Sequence, residues 1–124
     1  MAKRKRQKPS RYIRATFLIP NREDPDVGNG SVHSTDRWDT LKEILYDKFG
    51  GWTILSENCL GGWQETPQKK VVDVSKNYCV NFEENKLKEL IYLVKVFAVM
   101  FRQKCISFEC RSETSLIWQE RYKQ

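Results

Sequence analysis

The chain has 124 residues, 40% hydrophobic and 12% aromatic, enough for one domain with a buried core and too apolar for a disordered chain. No apolar run approaches the roughly 20 residues of a spanning helix, and the amino end lacks the apolar segment and small-residue cleavage site of a secretory signal, so the reading is a cytoplasmic protein with no membrane partner. The formal charge of +6 is local: seven of the 22 Lys and Arg fall in the first 14 residues, which hold no acid, and the remainder is close to neutral.

Those seven, Lys3, Arg4, Lys5, Arg6, Lys8, Arg11 and Arg14, define a basic arm over residues 1–14, ahead of a domain over residues 15–124. Like charges repel and carry little surface to bury. Cations beside phosphates release condensed counterions, which gives affinity without base preference, so the arm predicts RNA or DNA as partner. Another acidic surface, a solubilising tail or a nuclear address fits the same composition.

Residues 12–19 (YIRATFLI) have the β-branched and aromatic content of a strand, closed by Pro20, which lacks a ladder donor. A polar loop with Pro25, Gly28 and Gly30 follows, long enough to suggest a functional or mobile segment. Trp38, Leu41, Leu45 and Phe49 recur at helical spacing, with Thr35 or Asp36 as N-cap and Gly50 or Gly51 as left-handed C-cap. A second strand begins at Trp52, and Gly61-Gly62 predicts a bend or bulge within it. Residues 71–82 alternate as a third strand, after a turn at residues 66–70.

Leu87, Leu90, Ile91, Val94, Phe97, Ala98 and Phe101 form the apolar stripe of a second helix. Leu93, Val96 and Met100 add a further stripe, which predicts cover by another layer or subunit. A fourth strand follows from Cys105, with Ile106 and Phe108 on one face.

Strand, helix, strand, strand, helix, strand is the α+β, ferredoxin-like βαββαβ pattern: a four-stranded antiparallel sheet with both helices on one face. Its open face predicts a homodimer, a ligand or a nucleic acid. Phe49-Gly50-Gly51-x-Thr53, Gly62-Trp63, Asp73-x-Ser75-Lys76, a V-x-F strand and Phe101-x-Gln103 resemble a family of small uncharacterised bacterial ferredoxin-like domains over residues 35–108. The resemblance implies the fold and carries no activity.

Lys76 to Phe82 (KNYCVNF) is similar to the base-stacking strand of RNA-recognition domains, one residue short. Tyr78 and Phe82 are therefore candidate stacking residues if they face the open side, and core if they face the helices. The repeated Gly-Gly-Trp offers another candidate, a small-molecule cleft between Trp52 and Trp63 with Glu65 or Asp73 as its polar group.

Catalytic signatures are thin. The lone histidine, His33, excludes a His-pair metal motif. Cys59, Cys79, Cys105 and Cys110 contain no CxxC, and spacing does not join Cys59 or Cys79 to His33 as nucleophile and base. No Gly-rich segment has phosphate-cradling spacing. The sequence thus predicts a non-catalytic nucleic-acid-associated or ribonucleoprotein-assembly module, without catalytic residue, cofactor or metal. The alternative is a dimeric domain binding or converting a small molecule in the Trp-lined cleft.

Overall fold

A computed structural model describes residues 11–122. The fold is α+β. Strand β1 (Tyr12–Pro20), helix α1 (Thr35–Phe49), strands β2 (Thr53–Thr66) and β3 (Lys69–Glu83), helix α2 (Leu87–Met100) and strands β4 (Cys105–Cys110) and β5 (Glu113–Trp118) follow in turn, with short 3-10 turns at Glu84–Lys86 and Glu120–Tyr122. The five strands form one antiparallel sheet in the order β2-β3-β1-β4-β5.

The expected fourth strand is thus two. It folds back at Arg111 and Ser112, whose φ angles of 56° and 63° place both in the left-handed region that two-residue hairpin turns require. The N-cap of α1 is Ser34, one residue before the expected pair; its side chain accepts from the Arg37 N–H, and Gly50 closes the helix with φ 83°.

Alternation along the strands sorts the two sheet faces. Phe17 lies opposite Tyr78 on one side and Phe108 on the other, and these three rings share the face beneath the helices. Trp38, Leu41 and Leu45 of α1 and Leu90, Val94 and Phe97 of α2 close the core over them. Phe17 stacks on Tyr78 with centroids 5.8 Å apart. Tyr78 is 0% and Phe82 1% exposed, so neither forms a base-stacking platform; both are core. The KNYCVNF run follows the helix-facing parity, which sends its aromatics inward.

The second stripe of α2 also belongs largely to the chain's own packing. Leu93 and Met100 rest against the core and Val96 is half-buried, whereas Tyr92 and Val99 are the exposed apolar residues of that helix. No helix among the described residues is long and apolar enough to cross a membrane.

The arm boundary shifts as well. Tyr12, Ile13 and Arg14 pair with Glu83, Phe82 and Asn81 as the first rungs of β1, and the Arg11 guanidinium lies 3.5 Å from the Glu84 carboxylate. Lys3, Arg4, Lys5, Arg6 and Lys8 lie outside the described residues.

Residues 21–34 are tied down by polar contacts in place of regular structure. Glu23, buried, accepts from the Asn29 N–H at 3.0 Å and from Arg37 at 3.0 Å, with Arg102 at 3.5 Å. Gln103 donates to the Arg22 carbonyl at 2.8 Å. His33 contacts the Pro20 carbonyl through Nε2 at 2.8 Å and the Arg37 guanidinium through Nδ1 at 3.0 Å. Since Nδ1 must accept from an obligate donor, the ring is the neutral Nε2–H tautomer.

That assignment carries a pH dependence. Burial, first, and then the Arg37 charge hold the His33 pKa below its usual value, against the opposing effect of the Pro20 hydrogen bond. A histidine depressed in the fold contributes stability that is complete above its unfolded value of about 6.5 and is lost as pH falls toward the depressed value, at up to ~1.4 kcal/mol per pH unit. Urea midpoints should fall between pH 7.5 and 5.5 in the native protein. His33→Gln should flatten that slope, and an unchanged slope would remove the assignment.

Candidate functional site

The β2–β3 ribbon is longer than the sheet it belongs to. Only Ser75 to Glu83 of β3 pairs with β1, whereas β2 and β3 stay paired as far as Thr66 and Lys69. The ribbon therefore extends beyond the end of β1. Irregularities between Ile54 and Ser56, Ser56 and Cys59, and Gln64 and Thr66 interrupt its ladder. Bulges of this kind bend and twist a strand. Gly61 and Gly62, expected to supply the bend, pair regularly with Asp73 and Val72.

The ribbon and the loop after β1 enclose a concavity of about 710 Å³ against the helix-free face of the sheet. That volume suits a small molecule. Leu18, Ser75, Ser107 and Leu116 contribute its floor, Gly61, Trp63 and Asp73 the ribbon side, and Asp24 and Pro25 the loop side.

Three of the four cleft residues predicted from sequence meet here. Trp63, Glu65 and Asp73 all line the concavity, and the Trp63 indole N–H donates to Asp73 Oδ2 at 3.3 Å. The indole is 38% exposed, so an aromatic face stands beside a carboxylate with solvent access. Trp52 does not join them. It packs on the helix side, with Tyr46 and Tyr78 rings at 5.9 and 6.2 Å and the Lys42 ammonium 4.9 Å from its centroid.

Glu65 belongs to a group that sequence reasoning missed. Lys104 bonds to both Glu65 and Asp26, the latter at 2.7 Å, and Lys69 reaches Glu65 at 2.9 Å and Asp26 at 3.0 Å. The result is a ring of alternating charge that joins the ribbon tip, the loop and the start of β4. Hydrogen bonds from Lys104 and then Lys69 hold the Asp26 carboxyl down at about 2, and the same two bonds lower that of Glu65. Burial works against the Lys104 ammonium, but its bonds to Asp26 and Glu65 outweigh that and raise its pKa. All four groups are therefore charged at neutral pH. Local motifs cannot reveal such a ring, because its members come together only when the ribbon curls back.

Cys59 and Cys105 also line the concavity. Burial pushes the Cys105 thiol up to about 11, which leaves it protonated and a weak nucleophile. Among the described residues, no group of three or more His, Cys, Asp and Glu is arranged to hold a metal ion. His33 is occupied with Pro20 and Arg37 and is not among the residues lining the concavity, so it forms no acid-base pair with Glu65 and activates no cysteine there.

No family model matches the sequence, and no curated protein matches it. Among solved structures, a phage SAM lyase in complex with S-methyl-5'-thioadenosine is similar, with a TM-score of 0.62 over 95% of this chain and 98% of that chain at 14% identity. At that identity the likeness shows the fold. It overturns the resemblance to uncharacterised bacterial ferredoxin-like domains. It also overturns the nucleic-acid-associated reading, since the fold is similar to that of a SAM lyase and the two proposed stacking residues are core.

Proposed function

We propose that the protein binds S-adenosylmethionine in the concavity beside Trp63 and Asp73, and cleaves it to S-methyl-5'-thioadenosine. The observation that carries this reading is the Trp63–Asp73 pair in a small-molecule-sized cavity, on a fold similar to that of a SAM lyase. On the same reading the first four strands and both helices are a split βαβ core of the ferredoxin-like type, extended by the β5 hairpin.

The chemistry matches those two side chains. A sulfonium is a cation with little capacity to donate hydrogen bonds, so an aromatic face and a nearby carboxylate suit it better than a polar cage does. Cleavage breaks the bond between sulfur and the γ-carbon of the methionyl chain, and both bonding electrons leave with sulfur as a neutral thioether. The γ-carbon then bonds to the fragment's own carboxylate oxygen, or the β-carbon gives up a proton to that carboxylate as a double bond forms between the β- and γ-carbons. Either course balances without an oxidant or an added nucleophile.

Charge leaves the sulfur as the bond breaks, so a carboxylate that held the sulfonium too strongly would favour substrate over transition state. Asp73 is moderated in this respect because one oxygen accepts from the Trp63 indole. The remaining work for the protein is to bind the substrate, exclude water and fix the conformation of the methionyl chain.

The test is direct. Purified protein is incubated with S-adenosylmethionine, and binding is followed by calorimetry while the adenosyl products are separated by chromatography. The expected result is saturable binding with accumulation of S-methyl-5'-thioadenosine equal to the substrate consumed. Binding without product would reduce the reading to a sensor of the intact sulfonium, and absence of both would end it.

A further inference from the structure

The ring of Asp26, Glu65, Lys69 and Lys104 does more than tie the ribbon tip to the loop. Taking the adenosylmethionine reading as its basis, we infer that the Glu65–Lys69 edge of this ring reads the amino-acid end of the ligand, the α-ammonium going to Glu65 and the α-carboxylate to Lys69.

Position supports this assignment. Trp63 and Glu65 lie two residues apart on β2 and both line the concavity, which at the rise of an extended chain separates them by roughly 6–7 Å, with Glu65 at the irregularity between Gln64 and Thr66. In the ligand, three carbons separate sulfur from the carboxylate carbon, a span of about 5 Å at ~1.5 Å per bond. A sulfonium held at Trp63 and Asp73 thus places the amino-acid end at Glu65 and Lys69, whose charged atoms are 2.9 Å apart.

The charge pattern supports it too. An amino acid presents a donor cation and an acceptor anion on neighbouring atoms, so its receptor needs an acceptor and a donor side by side. A site of one sign would leave one of the two groups unpaired. Within the ring each lysine already touches both carboxylates. When the zwitterion inserts at one edge, Glu65 keeps Lys104 and gains the ammonium, while Lys69 keeps Asp26 and gains the carboxylate. No charge is stranded. The Lys69 side chain is half exposed, whereas Lys104 is largely covered and holds Glu65 in place.

The experiment compares three probes. S-adenosylmethionine carries both the sulfonium and the amino acid, S-adenosylhomocysteine only the amino acid, and S-methyl-5'-thioadenosine neither. Native protein should bind S-adenosylhomocysteine roughly tenfold or more tighter than S-methyl-5'-thioadenosine, the scale of two charge-assisted hydrogen bonds at a half-exposed site. Lys69→Met and Glu65→Gln should each bring that ratio to within about threefold while leaving the affinity for S-methyl-5'-thioadenosine unchanged, which a merely structural ring would not do. The inference is overturned if native protein binds those two probes equally, or if the variants weaken both alike. Such results would leave the sulfonium site intact, whereas failure to bind any of the three removes both readings.

Discussion

Gly61→Leu is expected to weaken S-adenosylmethionine binding by about a hundredfold or more, equivalent to ~2.7 kcal/mol, with no loss of folding stability. Gly61 faces the concavity, between Cys59 and Trp63 in the alternation of β2 and opposite Asp73. A Cβ built there meets no atom within 4 Å. The leucine side chain therefore grows into open space, the space the proposed ligand would fill. Stability should hold or rise slightly, because a glycine within a strand loses more chain entropy on folding than other residues do. Gly62→Ala is the control, since its Cβ would rest in ordinary contact with Val71 and Val72 of its own ribbon. Calorimetric titration reports the binding and urea unfolding the stability. A Gly61→Leu protein with native affinity would place the ligand elsewhere.

The cleft was partly legible in the sequence, and the reason is parity. Trp63 and Asp73 fall on one face of a paired ribbon because residues two apart share a face and Asp73 pairs with Gly61, whereas Glu65 sits at the irregularity between Gln64 and Thr66 and still lines the same concavity. Trp52 and Trp63 lie eleven positions apart, which in a regular strand sends them to opposite faces; the two irregularities between Ile54 and Cys59 each add one residue to β2, so that parity is kept and Trp52 packs among the helices. Both helices were readable from periodic apolar residues such as Trp38, Leu41 and Leu45, together with the Gly50 cap. The β4–β5 hairpin was not, because Arg111 and Ser112 take left-handed conformations usually supplied by glycine or asparagine. Asp26, Lys69 and Lys104 give no local sign of their ring, which is a product of tertiary closure. Charge counting pointed at the amino-terminal cations, whereas the four charges of the ring are paired and sum to zero.

Glu23→Ala should cost about 2–4 kcal/mol and loosen the wall of the concavity that carries Asp24, Pro25 and Asp26. The carboxylate is buried, and its removal leaves the Asn29 N–H without its acceptor and the Arg37 guanidinium with His33 Nδ1 but no counter-charge there. Arg37 and Arg102 retain some access to water, which keeps the cost below that of a fully buried stranded charge. The Asn29 N–H first, and Arg37 second, lower the Glu23 pKa, so this contribution is present above the ordinary carboxyl value and is lost as pH falls through the depressed one. Gly28 approaches the same carboxylate from the other side: a Cβ there would lie 2.2 Å from Glu23 Oε1 and 3.0 Å from Arg102 Cδ. Glutamate tips usually move aside at little cost. This one is held by three partners, so Gly28→Ala should destabilise the native protein by about 1–3 kcal/mol through loss of those bonds. In a Glu23→Ala background only the close approach to Arg102 Cδ remains, on a half-exposed side chain that can give way, and Gly28→Ala should then cost less than about 0.5 kcal/mol. Urea unfolding of the four proteins of this cycle measures the coupling directly. Additive costs would mean that the loop is held by something other than the buried carboxylate.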